Sequence, residues 1–190
     1  MNRRREFLGT VVSAVLTGCS TPQSSSTGET RTNASATQRG SAEATSKETV
    51  EPVCSASDVI RPSPRLDSEP SGTQYPEKPS SFDERPVKWY VTEFEVAYSR
   101  NEIVQQDSIK SVNVDIQGGF EVEPVDTGFL AHGSVQVMYT KESGEQTASG
   151  DIKHRSNYFV SDSVVQRVES TTENVDPREA VGAQIVACFE

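Results

Sequence analysis

The chain has 190 residues, a third of them hydrophobic, with 18 Lys+Arg against 28 Asp+Glu and a formal charge of -10. That length allows one ordinary domain with tails, and a mean hydropathy of -0.56 is too polar for the whole chain to pack. A surface this acidic repels phosphate backbones and anionic headgroups, so nucleic acid is excluded as a partner.

The amino terminus carries Arg3-Arg4-Arg5-Glu6 followed directly by an apolar stretch, Phe7 to Leu16. A mainly apolar run of ten residues falls well short of the roughly 20 that span a bilayer as a helix, and fits the short core of an export signal. Leu16-Thr17-Gly18-Cys19 follows, and then a polar tract.

Arg4, Arg5, Phe7 and Leu8 resemble the twin-arginine export signal. Leu16, Gly18 and Cys19 resemble the lipobox of prokaryotic lipoproteins. The resemblance implies that residues 1–18 are a signal peptide removed before Cys19, whose thiol carries a diacylglycerol. It covers nineteen residues and implies a location: the outer face of the cell membrane, with the membrane as partner through the lipid. Without Arg3, Arg4, Arg5 and Glu6 the balance becomes 15 basic against 27 acidic residues, with six lysines against nine arginines. That surface resembles those of salt-adapted proteins and points to a haloarchaeal source, although ordinary acidic proteins read the same way.

From Ser20 to Val50, fourteen of 31 residues are Ser or Thr, with no aromatic and no apolar period. Such a segment has nothing to bury against its ordering entropy, so residues 19–50 are expected to form a disordered tether beyond the lipidated Cys. Asn33-Ala34-Ser35 is a glycosylation sequon. Residues 51–79 hold six prolines and read as an extended arm, attached in part to the domain through Cys54.

Residues 80–190 read as the globular domain. Asp83 stands as a helix cap and Pro86 falls in the first turn, where a missing N–H is harmless. Val87, Tyr90, Val91, Phe94, Ala97 and Tyr98 recur at helical spacing, predicting a helix over 83–105 with Lys88, Glu93, Glu95 and Arg100 on its other faces. Trp89, beside Tyr90 near the helix start, reads as core packing in preference to the other reading, a binding-surface aromatic. After the helix the period becomes two: Val112, Val114 and Ile116, then a turn at Gly118-Gly119, then Val135, Val137 and Tyr139. A loop at 141–145, a strand over 146–160, a turn at 161–163, Val164 to Val168, and a last strand from Val181 to Phe189 complete the pattern. The expected class is α+β, one amphipathic helix on a four- to six-stranded antiparallel sheet. In element order alone this outline resembles a cystatin-like or nuclear-transport-factor-like roll.

If Cys19 is lipidated, Cys54 and Cys188 remain as an even pair in an exported chain, which favours a disulfide over two separate thiols. Asp126-Thr127-Gly128 resembles the aspartic-protease triplet, but bulky Phe129 follows it, and the other reading is a turn with Gly128 supplying an unusual dihedral. His132 and His154 read as strand residues, with Gly133 marking a bulge or turn beside the first. Asp151 and His154 would face opposite ways on a strand and so form no metal pair. Glu121, Glu123 and Asp126 lack calcium-loop spacing and read as a solvated face. No phosphate loop, nucleophile elbow or Cys-x-x-Cys pair occurs, so no catalytic residue, metal ligand or cofactor is assigned. The expectation is a lipid-anchored, non-catalytic binding or envelope-structural module, the alternative being a small hydrolase using Asp126.

Overall fold

The computed structural model describes residues 54–171 and 173–189. The signal and lipobox residues (Arg4, Arg5, Phe7, Leu8, Leu16, Gly18 and Cys19) and the sequon at Asn33 lie outside them. The fold is α+β, as the two periodicities predict. One helix, α1 (Glu84–Val104), precedes five strands: β1 (Ile109–Val125), β2 (Gly128–Ser143), β3 (Gln146–Val160), β4 (Val164–Ser170) and β5 (Gln184–Cys188). They form a single antiparallel meander in the order β1-β2-β3-β4-β5. No described helix is long and apolar enough to cross a membrane.

The helix lies across one sheet face. Val87, Tyr90, Val91, Phe94, Ala97 and Tyr98 meet Phe120, Ala131, Tyr158, Val160, Val165 and Ala187 in the main core. The carboxy-terminal turn of α1 contributes Ile103 and Val104 to a second cluster with Val112, Val135 and Val137. On the opposite sheet face Leu130, Phe159 and Val164 form a smaller apolar patch. Alternation along each strand divides these two sets, since successive side chains point to opposite faces.

The arm is built into this packing, so the division expected at Ser80 does not coincide with a break between packed and unpacked chain. Tyr75 is buried with its ring 4.8 Å from that of Phe94, and its hydroxyl donates to the Pro62 carbonyl at 2.8 Å. Burial pushes the Tyr75 hydroxyl pKa up to about 12. Asn101 of α1 satisfies both backbone groups of Thr73, and the Ile60 N–H donates to the Ile185 carbonyl of β5. The Cys54–Cys188 disulfide fastens the arm to the end of β5.

Several local expectations change. Asp83 occupies the cap position without a side-chain capping bond; its carboxylate accepts from the Ser81 hydroxyl instead. Gly118 and Gly119, at φ 74° and 78°, do not turn the chain. They form a bulge in a continuous β1, where residues 118–120 oppose Gly133 alone. The extra residues swing Phe120 into the core, against the space that Gly133 leaves: a β-carbon there would stand 2.9 Å from the Phe120 ring. The bulge expected at Gly133 is therefore in the facing strand. The last strand begins at Gln184 rather than Val181, because Gly182 at φ 88° turns the chain first and Val181 is fully exposed.

Candidate functional site

Between α1 and the inner sheet face lies a buried polar cluster that the helical pattern did not predict. Glu95, expected on an outer face, is completely buried, as are Ser156 and Tyr158, while Arg167 is 4% exposed. Taking a carboxylate out of water costs far more than an exposed ion pair returns, so it persists only where its lone pairs are filled. Each Glu95 oxygen has several partners. Oε2 accepts from the Tyr158 hydroxyl at 2.5 Å and from Arg167 Nε at 2.9 Å. Oε1 accepts from the Ser99 hydroxyl at 2.6 Å, Arg167 Nη2 at 3.0 Å and His154 Nε2 at 3.3 Å. Arg167 thus grips the carboxylate with two nitrogens, the strongest pairing available to these groups. Its Nη2 also donates to Glu169 at 2.7 Å and to Ser156, and its guanidinium stacks 3.9 Å over the Tyr98 ring.

The fold sets this geometry through register. Tyr158 and Arg167 are directly paired between β3 and β4, so their side chains share the inner face below Glu95. His154 reaches the same place two pleats along β3. Burial by itself raises the Glu95 carboxyl, but the Arg167 charge and the hydrogen bonds from His154, Arg167 and Ser99 outweigh it, holding the group well below the usual carboxylate range. For His154, burial opposes protonation, yet the Glu95 hydrogen bond and charge, with Glu169 behind them, raise its pKa. Burial and the Glu95 charge push the Tyr158 hydroxyl far up. With His154 protonated the cluster holds two carboxylates and two cations, and is neutral. Its outer edge opens on a polar hollow of about 360 Å³ lined by Tyr98, Glu102, Glu169 and Gln184 among others, where burial and then Glu169 raise the Glu102 carboxyl.

A second feature is on the outside. Trp89, assigned to the core from sequence, is 59% exposed. At about 100° per residue it lies roughly 140° from the centre of the apolar stripe. It lines an open hollow of about 550 Å³ with Glu77, Lys78, Pro79, Ser80, Arg85 and Pro86.

The other sequence candidates are dispersed. Asp126 is in the exposed two-residue turn joining β1 to β2, and Gly128 behind it lacks a left-handed dihedral. Its glycine is needed because a β-carbon would collide with the Val160 carbonyl. His132 is buried on the outer sheet face, its Nδ1 2.9 Å from Asn157 Oδ1 and its Nε2 3.7 Å from Glu123. Asp151 points outward to Gln136, whereas His154 points in to Glu95, so the structure does not bring them together. Among the described residues, no group of three or more His, Cys, Asp or Glu is placed to hold a metal. Cys54 and Cys188 are joined, with Cα atoms 5.6 Å apart.

The one sequence signal for the buried cluster was slight: Glu95 and Ser99 stand one turn apart beside Val91 and Tyr98, at the border of the apolar stripe. No family model matches the chain, and neither a curated protein nor a solved structure shows significant similarity to it.

Proposed function

We propose that this protein is an exported lipoprotein, held at the outer face of the cell membrane by a lipid on Cys19, whose domain serves as a non-catalytic binding or envelope-structural module. The cysteines carry the reading. Of three in the chain, two are joined as Cys54–Cys188, which fits an oxidising compartment. The third stands in Leu16-Thr17-Gly18-Cys19, behind an arginine pair and a short apolar run. The chemistry of the domain supports the module: the charged groups at its centre are spent on one another, joining helix to sheet.

Mass spectrometry of membrane-extracted protein tests the anchoring. The expected product begins at a diacylglycerol-modified Cys19, and Cys19→Ser leaves the chain unlipidated. An intact Met1 with an unmodified Cys19 would overturn it. Export is tested by Arg4→Lys/Arg5→Lys, which should hold the precursor inside the cell. Capture of outer-face proteins by in-cell cross-linking, compared with a chain lacking residues 54–190, tests the module. Loss of a hydrolytic activity in Asp126→Asn with the fold retained would replace it with an enzyme.

A further inference from the structure

The acidity of the chain is unevenly placed. Residues 76–93 carry Lys78, Arg85 and Lys88 against Glu77, Asp83, Glu84 and Glu93, close to even in a chain of net charge -10. Within this nearly balanced stretch is the exposed indole of Trp89. Arg85 stands one helical turn before it and Glu93 one turn after, so the three share a face, and Pro79 and Pro86 add apolar floor. Neither Arg85 nor Lys88 forms an ion pair among the described residues. Lys78 lies on the other wall, its Nζ donating to the Asp162 carbonyl with its charge over the Phe82 and Phe189 rings.

The position of this patch in the domain is informative. Lys78 also lines the hollow formed by Cys54, Ser55, Cys188 and Phe189. The Trp89 patch and the point where the chain enters the described fold from Cys19 are therefore neighbours, separated by one lysine side chain. Cys54 is 35 positions beyond Cys19, a stretch that covers at most about 120 Å when fully extended.

We infer that the Trp89 patch docks on the lipid surface to which Cys19 is anchored. This rests on the lipoprotein reading above and adds an orientation to it. Tryptophan is suited to the headgroup level, where its apolar ring enters the acyl boundary and its N–H stays hydrated. Arg85 and Lys78 on the walls of the hollow can meet lipid phosphates, with Glu77 the one carboxylate beside them. The acidic remainder of the domain does not prevent this approach, because at physiological salt charges more than about 8 Å away are largely screened. The opposite end of the domain is then turned outward.

Trp89 is the single tryptophan, so its fluorescence reports on the patch without labelling. Full-length lipidated protein is reconstituted into phosphatidylcholine vesicles containing phosphatidylglycerol, with or without bromine in the acyl chains. The expected result is co-flotation with the vesicles, emission at shorter wavelength than in detergent-free buffer, and quenching by the brominated lipid. Arg85→Glu, at an exposed position, should float equally and lose most of the quenching. Co-flotation with an unquenched, solvent-like Trp89 would overturn the docking and leave the anchoring intact. A blue shift without lipid quenching would place protein over the indole and likewise overturn it. Failure of the wild-type protein to float would overturn the anchoring, and the docking with it.

Discussion

Replacing Arg167 by Met removes the cation from the Glu95 carboxylate while keeping most of the side-chain volume. Both groups are out of water and share two hydrogen bonds of 2.9 and 3.0 Å. Breaking such a pair from one side leaves an uncompensated buried charge and costs about 3–5 kcal/mol. A domain of this size is stable by only about 5–15 kcal/mol, so the loss is a large fraction of the total. At about 4 °C per kcal/mol it lowers Tm by roughly 10–20 °C. Glu95→Leu/Arg167→Met removes both charges. It leaves the Tyr158 hydroxyl as the main orphan, at about 1–3 kcal/mol, since Ser99 has the carbonyl one turn back within reach. The double variant should therefore be milder than the sum of the single ones by at least about 2 kcal/mol. Thermal and urea unfolding followed by circular dichroism on disulfide-intact protein measures all four corners of this cycle. Additive losses, or an Arg167→Met variant within about 0.5 kcal/mol of the parent, would refute the reasoning. Acid provides a second check. The depressed Glu95 pKa contributes stability that is present above the ordinary glutamate value and lost as pH falls through the native value. Variants lacking Glu95 should lose less stability on acidification.

His154 gives the opposite sign: its native pKa is raised, so its contribution is complete below the unfolded value of about 6.5 and is lost as pH rises through the native value. Urea midpoints from pH 5 to 9 should fall on that limb for the parent and flatten in His154→Gln; parallel profiles would exclude the assignment. The Cys54–Cys188 bridge joins positions 134 apart and contributes about 4–5 kcal/mol in the loop-entropy account. Cys54→Ser/Cys188→Ser should lose stability on that order, and denatured, unreduced parent should show neither thiol of this pair free. Gly128→Ala, which drives a β-carbon into the Val160 carbonyl, should cost about 1–3 kcal/mol or more. Gly144→Ala at φ 64°, with open space around it, should cost about 1 kcal/mol. Equal losses from urea melts would show that the hairpin ends do not approach so closely.

The sequence by itself determined the elements. Apolar residues every 3.6 positions over 87–98 and every second position over 112–116 and 135–139, with turn residues between the later apolar runs, point to one helix and a set of antiparallel strands. Parity of the cysteines pointed to the bridge, because two thiols remain once Cys19 is set aside. These signals are local, or simple to count. The tertiary structure decided what depends on register and on contacts between distant segments. Gly118-Gly119 has the composition of a turn, yet pairing continues past it, since Phe120 gains a buried site against Gly133. The arm reads as a spacer in composition, yet Tyr75 finds Phe94 and becomes core. Glu95 reads as a surface residue because its partners, Tyr158 and Arg167, are 63 and 72 positions away. Only the β3–β4 register brings a tyrosine and an arginine side by side beneath the helix, and without them a buried carboxylate has no means of remaining charged. Trp89 was misassigned for the opposite reason: its hydrophobicity outweighed a helical angle already present in the sequence.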